Sequence, residues 1–417
     1  TRDADDLAAA LRCYLPADDV AVLPAWETLP HERLSPRSDT VARRLAVFRR
    51  LAHPAADGGQ AGALRVLAVP VRALLQPVVE GLGELEPVAL RTGERADLQD
   101  VAERLAAAAY TRVDMVERRG EFAVRGGILD VFPPTDDHPL RIEFWGDEIE
   151  EIRWFAVADQ RSLEVATEGL WAPPCREILL SDAVRARAAA LAEQLPGAAE
   201  MLEKLAQGIA VEGMESLAPV LVERMVPVLD LLPAGSLMTV ADPERVRRRA
   251  HDLLATSQEF LDAAWTAAAA GGSTPIDLRA ASFVEYAEAR EQALGRGFGW
   301  WSFSAFSLEA AAAQDALDPS ADGDAPGALQ DGAPRAAVVE GDAGTTLVLG
   351  SRDVRGYRGD VPAAVADLRT LQREGWRLVM TTEGHGPAQR MVEQLTAMEV
   401  PARRAGDVAE APEEGVV

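Results

Sequence analysis

The sequence predicts a multidomain α/β protein with a small, mainly antiparallel β region set between helix-rich parts. Three observations predict it. The chain has 417 residues, and at roughly 150 residues per domain that length suggests about three domains. Its 48% apolar and 26% charged residues are the composition of a folded chain rather than a disordered one. The apolar period also changes along the chain, from helical spacing to strict alternation between Thr111 and Phe155 and back again.

The first ~75 residues alternate short apolar runs, Val20 to Leu23 and Leu64 to Val69, with a helically spaced segment from Val41 to Leu51. Between them PAWETLPHERLSPRSD is rich in Pro and polar residues and reads as a loop, most simply a connector. From Thr111 the pattern is that of strands. EFAVR places Phe122 and Val124 on one face, and Gly126-Gly127 permits a bulge or bend before ILDVF. After the turn segment PPTDDHP, LRIEFW alternates, with Leu140, Ile142 and Phe144 on one side and Arg141, Glu143 and Trp145 on the other. GDE turns into IEEIRWF, and the simplest topology is an antiparallel meander. Beyond Pro174, Ser181 or Asp182 caps a helix expected to reach Leu195, and Asp242-Pro243-Glu244 starts another running to Ala270 with Gly271-Gly272 as its stop. Ser307 to Gly344, rich in Ala, Asp, Gly and Pro, reads as linker or exposed loop. The end returns to α/β: strands at Thr345 to Leu349 and Trp376 to Met380, helices at Val361 to Arg373 and up to Ala397.

Composition excludes several classes of function. With 42 Lys plus Arg against 67 Asp plus Glu the net charge is −25, which weighs against nucleic acid as the main partner, since phosphate binding works through cations that release counterions. Cys13 and Cys175 are too few for a disulfide framework or a four-thiolate zinc site, and both are expected to be buried reduced thiols. A secretory leader and a membrane span are not expected, so the chain is expected to be cytoplasmic. Lys204 is the single lysine, in the helical stretch MLEKLAQGI with no glycine loop before it. A phosphate-binding loop needs its lysine to reach the β- and γ-phosphates, so ATP hydrolysis by this chain is not expected. Gly384-His385-Gly386 and GDAGTT lack that lysine, and the five histidines are scattered without ligand spacing. No catalytic constellation emerges, and no metal or cofactor site.

The sheet offers more. If LRIEFW buries Leu140, Ile142 and Phe144, Trp145 faces out beside Arg141, with Arg125 contributed by a neighbouring segment. Arg and Trp dominate protein–protein hot spots. The alternative, that Trp145 packs under a loop while the arginines are solvated, stays equally open at this point. From Tyr110 to Trp145 five Arg stand against seven acids, a balance suited to a protein partner rather than a phosphate backbone.

The segments PAWETLPHERLSPRSDTVARRL and YTRVDMVERRGEFAVRGGILDVFPPTDDHPLRIEFWGDEIEEIRWF, with DPERVRRRA and GWRLVMTTEGHGPAQRMVEQL following in order, resemble the amino-terminal part of the bacterial transcription-repair coupling factors. The Val113 to Phe155 block is shared with their relative UvrB. The missing ATP loop sets this chain apart from UvrB. The resemblance implies a UvrB-like α/β lobe without a nucleotide site (1–78 and 175–306), interrupted by a β-rich UvrA-binding domain (79–174). A linker (307–344) and a separate, incomplete small α/β domain (345–417) follow. It implies that UvrA docks on Arg125, Arg141 and Trp145, the last standing where the family usually has Phe. The family's polymerase-binding domain and ATP-driven, Mg-dependent DNA translocase lie beyond Val417, and its far end is expected to mask the UvrA surface. RNA polymerase and DNA are thus expected partners only of domains outside this chain. Two other readings compete: a UvrB-type ATP-dependent repair helicase subunit, and DNA binding around Arg33, Arg37, Arg43 and Arg44.

Overall fold

The computed structural model describes residues 2–29, 32, 34–55, 62–269, 283–304, 337–341, 344–348, 356–357, 359–382, 384–405 and 416. The chain is mixed α/β and divides into two compact units, Thr1–Ala305 and Phe306–Val417.

In the first unit, α1 (Arg2–Arg12) lays Ala4 and Ala8 against Val20, Val22 and Ala68. Those residues belong to β1 (Val20–Val22) and β2 (Val66–Ala68), which pair in parallel with Val20 opposite Val66. The intervening α2 (Ser38–Ala52) buries Val41, Leu45 and Phe48, the i, i+4, i+7 stripe that its sequence spacing requires. The loop before it is not a bare connector. Trp26 is buried and donates its indole N–H to Glu177 at 3.0 Å. Arg44 of α2 is wholly buried, its Nε 2.5 Å from the same carboxylate, with Nη1 on the Pro24 carbonyl at 2.9 Å. Its guanidinium also lies 5.3 Å from the Phe48 ring centre.

α3 (Val71–Leu75) and β3 (Val78–Val79) lead into β4 (Val88–Leu90) and α4 (Leu98–Ala107). Asp97 caps α4, accepting from the amides of Gln99 and Asp100 at 2.9 Å each, and Val101, Ala102 and Leu105 form the buried stripe. Six strands follow: β5 (Thr111–Arg112), β6 (Glu121–Arg125), β7 (Ile128–Val131), β8 (Leu140–Trp145), β9 (Glu148–Phe155) and β10 (Ser162–Val165). They make one sheet in sequence order, antiparallel except that β5 runs parallel to β6. The meander was therefore legible, and its first strand departs from the expected direction. Gly126-Gly127 is a two-residue hairpin turn with Arg125 opposite Ile128, and Gly126 sits at φ 60°, a conformation glycine adopts without strain. A bulge in β9 lies between the pairs Glu143–Glu151 and Phe144–Ile149. Phe122, Leu129, Val131, Leu140, Ile142, Phe144, Ile149 and Ile152 share one core with Val101, Ala102 and Leu105 of α4. Each such side chain contributes ~1.5–3 kcal/mol on burial, which fixes which face of the sheet is left outward.

β11 (Leu170–Ala172) pairs antiparallel with β4, Leu170 opposite Leu90, so the segment holding the sheet leaves beside where it enters. The contact is close: a Cβ on Gly169 would lie 2.2 Å from the Leu90 carbonyl oxygen. α5 (Asp182–Ala192) is capped by Ser181, as expected, through its hydroxyl and the Val184 amide. It ends at Ala192, short of Leu195, and α6 (Ala199–Ala206), α7 (Ala218–Leu221) and β12 (Met225–Val226) follow, β12 pairing with β3. β13 (Leu237–Ala241), α8 (Pro243–Ala269), α9 (Tyr286–Gly295) and β14 (Gly299–Phe303) complete the unit, with β13 parallel to β14. The expected Gly271-Gly272 stop lies outside the described residues.

In the second unit β15 (Ala337–Gly341) and β16 (Gly344–Val348) form a hairpin, and α10 (Val361–Arg373) and α11 (His385–Ala397) match their expected spans. β15 falls in the stretch expected to be linker, most of which is outside the described residues. Trp376–Met380, expected as a strand, pairs with no strand among the described residues, and Trp376, Val379 and Met380 are exposed. An apolar run becomes a strand only where a ladder accepts it. A further correction concerns the thiols: Cys175 is buried but Cys13, on the outer side past α1, is exposed, and both are free.

Candidate protein-binding face

The outward face of the six-stranded sheet is built by register. Ala123, Asp130, Arg141 and Arg153 stand in one row across β6 to β9. Arg125, Ile128, Glu143 and Glu151 form the next row towards the hairpin turns, and Trp145 lies one step further along β8. Phe132 and Phe155, with Val116 and Ala123, close the opposite end as a small apolar cluster.

Arg141 and Arg153 are directly opposed, which by itself is destabilising. Each is neutralised by its own carboxylate, Arg141 from the adjacent strand β7 and Arg153 from two residues back along β9. Asp130 takes Nε and Nη2 of Arg141 at 2.7 and 2.9 Å, in two parallel bonds. Glu151 takes Arg153 in the same way at 2.5 and 2.8 Å. Asp130 also accepts from Nη2 of Arg125 at 2.8 Å. Its own side chain is only 1% exposed, so three charge-assisted bonds replace the water it has lost. The hydrogen bonds to Asp130 hold the Arg141 guanidinium above its ordinary pKa. Arg141 further donates through Nη1 to the Gln160 carbonyl at 3.2 Å and lies 4.7 Å from the Phe155 ring centre. Gln160, at φ 60°, reaches back to the Val157 and Val116 carbonyls with its amide.

The three residues singled out in the sequence are thus on one face, but in different states. Arg141 is largely covered, at 16% side-chain exposure, whereas Arg125 is half exposed. Trp145 is 79% exposed, so it does not pack under a loop. Standard strand spacings put Arg125 about 10 Å across and ~7 Å along the sheet from Trp145. The sequence reading missed Asp130, which joins the two arginines, and the Glu151–Arg153 pair beside them. The signal for Asp130 was present: a carboxylate between Leu129 and Val131 in the most apolar strand cannot be buried without a cation.

The basic loop offered as a DNA contact does not assemble. Arg44 is buried against Glu177, Arg43 faces Asp5 at 3.5 Å, and Arg37 faces Asp39 at 3.1 Å; Arg33 lies outside the described residues. Lys204 is on α6, where it pairs with Glu200 at 2.8 Å. No helix among the described residues is long and apolar enough to cross a membrane.

The face coincides with a recognised family. Residues 88–173 match the UvrB interaction domain. Over its full length the chain is 46% identical to the transcription-repair-coupling factor of Mycobacterium tuberculosis, covering 32% of that protein. It is 28% identical to that of Bacillus subtilis over 62% of this chain and 22% of the relative. A UvrABC system protein B, from Acaryochloris marina, is 34% identical over 28% of this chain and 18% of its own length. The chain spans about a third or less of the length of these relatives. Residues 88–173 are thus similar to a UvrB interaction domain, and the chain as a whole is similar to about a third of the length of mycobacterial transcription-repair-coupling factors.

Proposed function

We propose that this chain is a non-catalytic recruitment and regulatory part of a transcription-repair coupling factor, and that it binds UvrA through Arg125, Arg141 and Trp145. The observation that carries this reading is Trp145, 79% exposed on a sheet face whose neighbouring arginines are held in place. An exposed indole beside ordered guanidinium groups is the composition of a protein–protein anchor. On this reading the sheet is inserted in a UvrB-like lobe that binds no nucleotide. ATP-driven translocation, contact with RNA polymerase and DNA, and masking of the face belong to the remainder of a longer protein. The lone lysine, engaged with Glu200 on a helix, supports this against an ATPase of the UvrB type.

Titration of UvrA with the wild-type chain and with an Arg141→Ala/Trp145→Ala variant tests the proposal. Loss of a true hot spot costs ~2 kcal/mol or more, a weakening of about 30-fold. Equal affinity of the two chains would remove the interface from this face, and ATP turnover by the chain alone would revive the enzyme reading.

A further inference from the structure

Building on that reading, we propose that Asp130 is the positioning residue of the face: it fixes both arginines, and leaves Arg125 as the one that receives a carboxylate from the partner. The geometry separates the two guanidinium groups. Arg141 is committed on three sides, to both Asp130 oxygens, to the Gln160 carbonyl and to the Phe155 ring. Arg125 gives a single Nη2 bond to Asp130 and keeps its remaining donors on a half-exposed side chain. That bond aims the group without using it up. A planar guanidinium with a free edge is matched by a carboxylate, which takes two parallel bonds from it. Asp130 is shared between the two arginines, both of its oxygens being taken by Arg141, so its single bond to Arg125 leaves that guanidinium with donors for an acidic group on the partner. Glu143, opposite Ile128 on the same row, is the nearest acid along β8, and it is followed on that face by Trp145. The partner's acid is thereby restricted to the β6 side of the face. Without Asp130, an arginine on a strand is a long side chain sampling many rotamers, and ordering it on binding opposes association.

The test is a coupling measurement with UvrA as the probe. Asp130→Asn keeps the shape and removes the charge. In the wild-type background it is expected to weaken UvrA binding by about tenfold or more. In an Arg125→Ala/Arg141→Ala background it is expected to change affinity by less than about twofold, because residues of one network are non-additive. Arg125→Ala alone leaves Asp130 bonded to Arg141 through both oxygens, so this variant keeps its thermal midpoint. It is expected to weaken UvrA binding and to flatten the dependence of affinity on salt. Equal losses from Asp130→Asn in both backgrounds would overturn the positioning role. Unchanged binding and salt dependence in Arg125→Ala would overturn the carboxylate contact while leaving recruitment through Trp145 standing. Failure of the wild-type chain to bind UvrA would instead overturn the recruitment reading, and this assignment with it.

Discussion

Two of the buried carboxylates in this molecule, Glu177 and Asp130, each hold arginine, and they do opposite things with it. Glu177 and Arg44 are sealed together, at 1% and 0% exposure, with Trp26 donating to the same oxygen. Asp130 is as deeply buried, at 1%, but its arginines rise from it to 16% and 50% exposure. The chemistry is the same, a carboxylate taking charge-assisted bonds in place of water. What differs is the element that carries the arginine. α2 packs on both sides, so its cation is enclosed and ties a loop to a segment more than a hundred residues away. A sheet with one covered face points every second side chain outward, so a carboxylate at its base becomes a pedestal. The first pair is enclosed, and on the proposed reading the second presents its arginines to a partner.

Breaking the sealed pair has the largest expected effect. Glu177→Gln or Arg44→Ala leaves one buried partner without its counterpart, a loss of ~3–5 kcal/mol, read as the free energy of urea unfolding. An unchanged unfolding curve would mean that the pair is hydrated rather than sealed. Trp145→Ala is the converse. A largely exposed ring contributes little to the fold, so stability should stay within ~0.5 kcal/mol, while UvrA binding, on the proposed reading, weakens by about 2 kcal/mol.

A third acid sharpens the rule that a buried carboxylate needs a cation. Asp136, in the loop between β7 and β8 at the end of the sheet away from Trp145, has its pKa raised to about 6. Burial is the leading cause, and the Thr135 hydroxyl and Arg119 oppose it only in part. The folded state then holds this proton more tightly than the unfolded chain, whose carboxyl titrates near 3.8. Stability from this group is therefore complete below about pH 4 and is lost as pH rises through about 6. Asp136→Asn should raise the thermal midpoint at pH 7 and remove that part of the slope between about pH 4 and 6; a slope that persists unchanged would assign it to other groups. The smallest effect is kinetic. Burial pushes the Cys175 thiol up to about 12, whereas Cys13 is exposed. Because the thiolate is the reactive form, a thiol reagent at pH 8 should modify Cys13 quickly in the native chain and Cys175 only after unfolding.

The sequence made the sheet legible because alternation is local: Leu140, Ile142 and Phe144 against Arg141, Glu143 and Trp145 needed only six consecutive residues. The caps at Ser181 and Asp242 were legible for the same reason. What was missed is what depends on a distant partner. Trp26 read as part of a connecting loop and Arg44 as a candidate DNA contact, and Glu177, which binds both, is not near either in sequence. Arg141 was placed on the outward face, but its commitment to Asp130 and Gln160 depends on the register of three strands. Trp376–Met380 has a strand's composition, and no strand among the described residues pairs with it. Exposure of Trp145 could not be read from a pattern that fixes direction but says nothing of what lies above it.

The contrast between enclosure and presentation is tested most directly by measuring unfolding free energy and UvrA affinity together on two variants, Arg44→Ala and Arg125→Ala. Crossed results are expected: Arg44→Ala loses ~3–5 kcal/mol of stability and, where it remains folded, keeps its UvrA affinity, while Arg125→Ala keeps its stability and loses affinity. If Arg125→Ala bound UvrA as tightly as the wild type, or lost stability as Arg44→Ala does, the division between the two buried carboxylates would be contradicted.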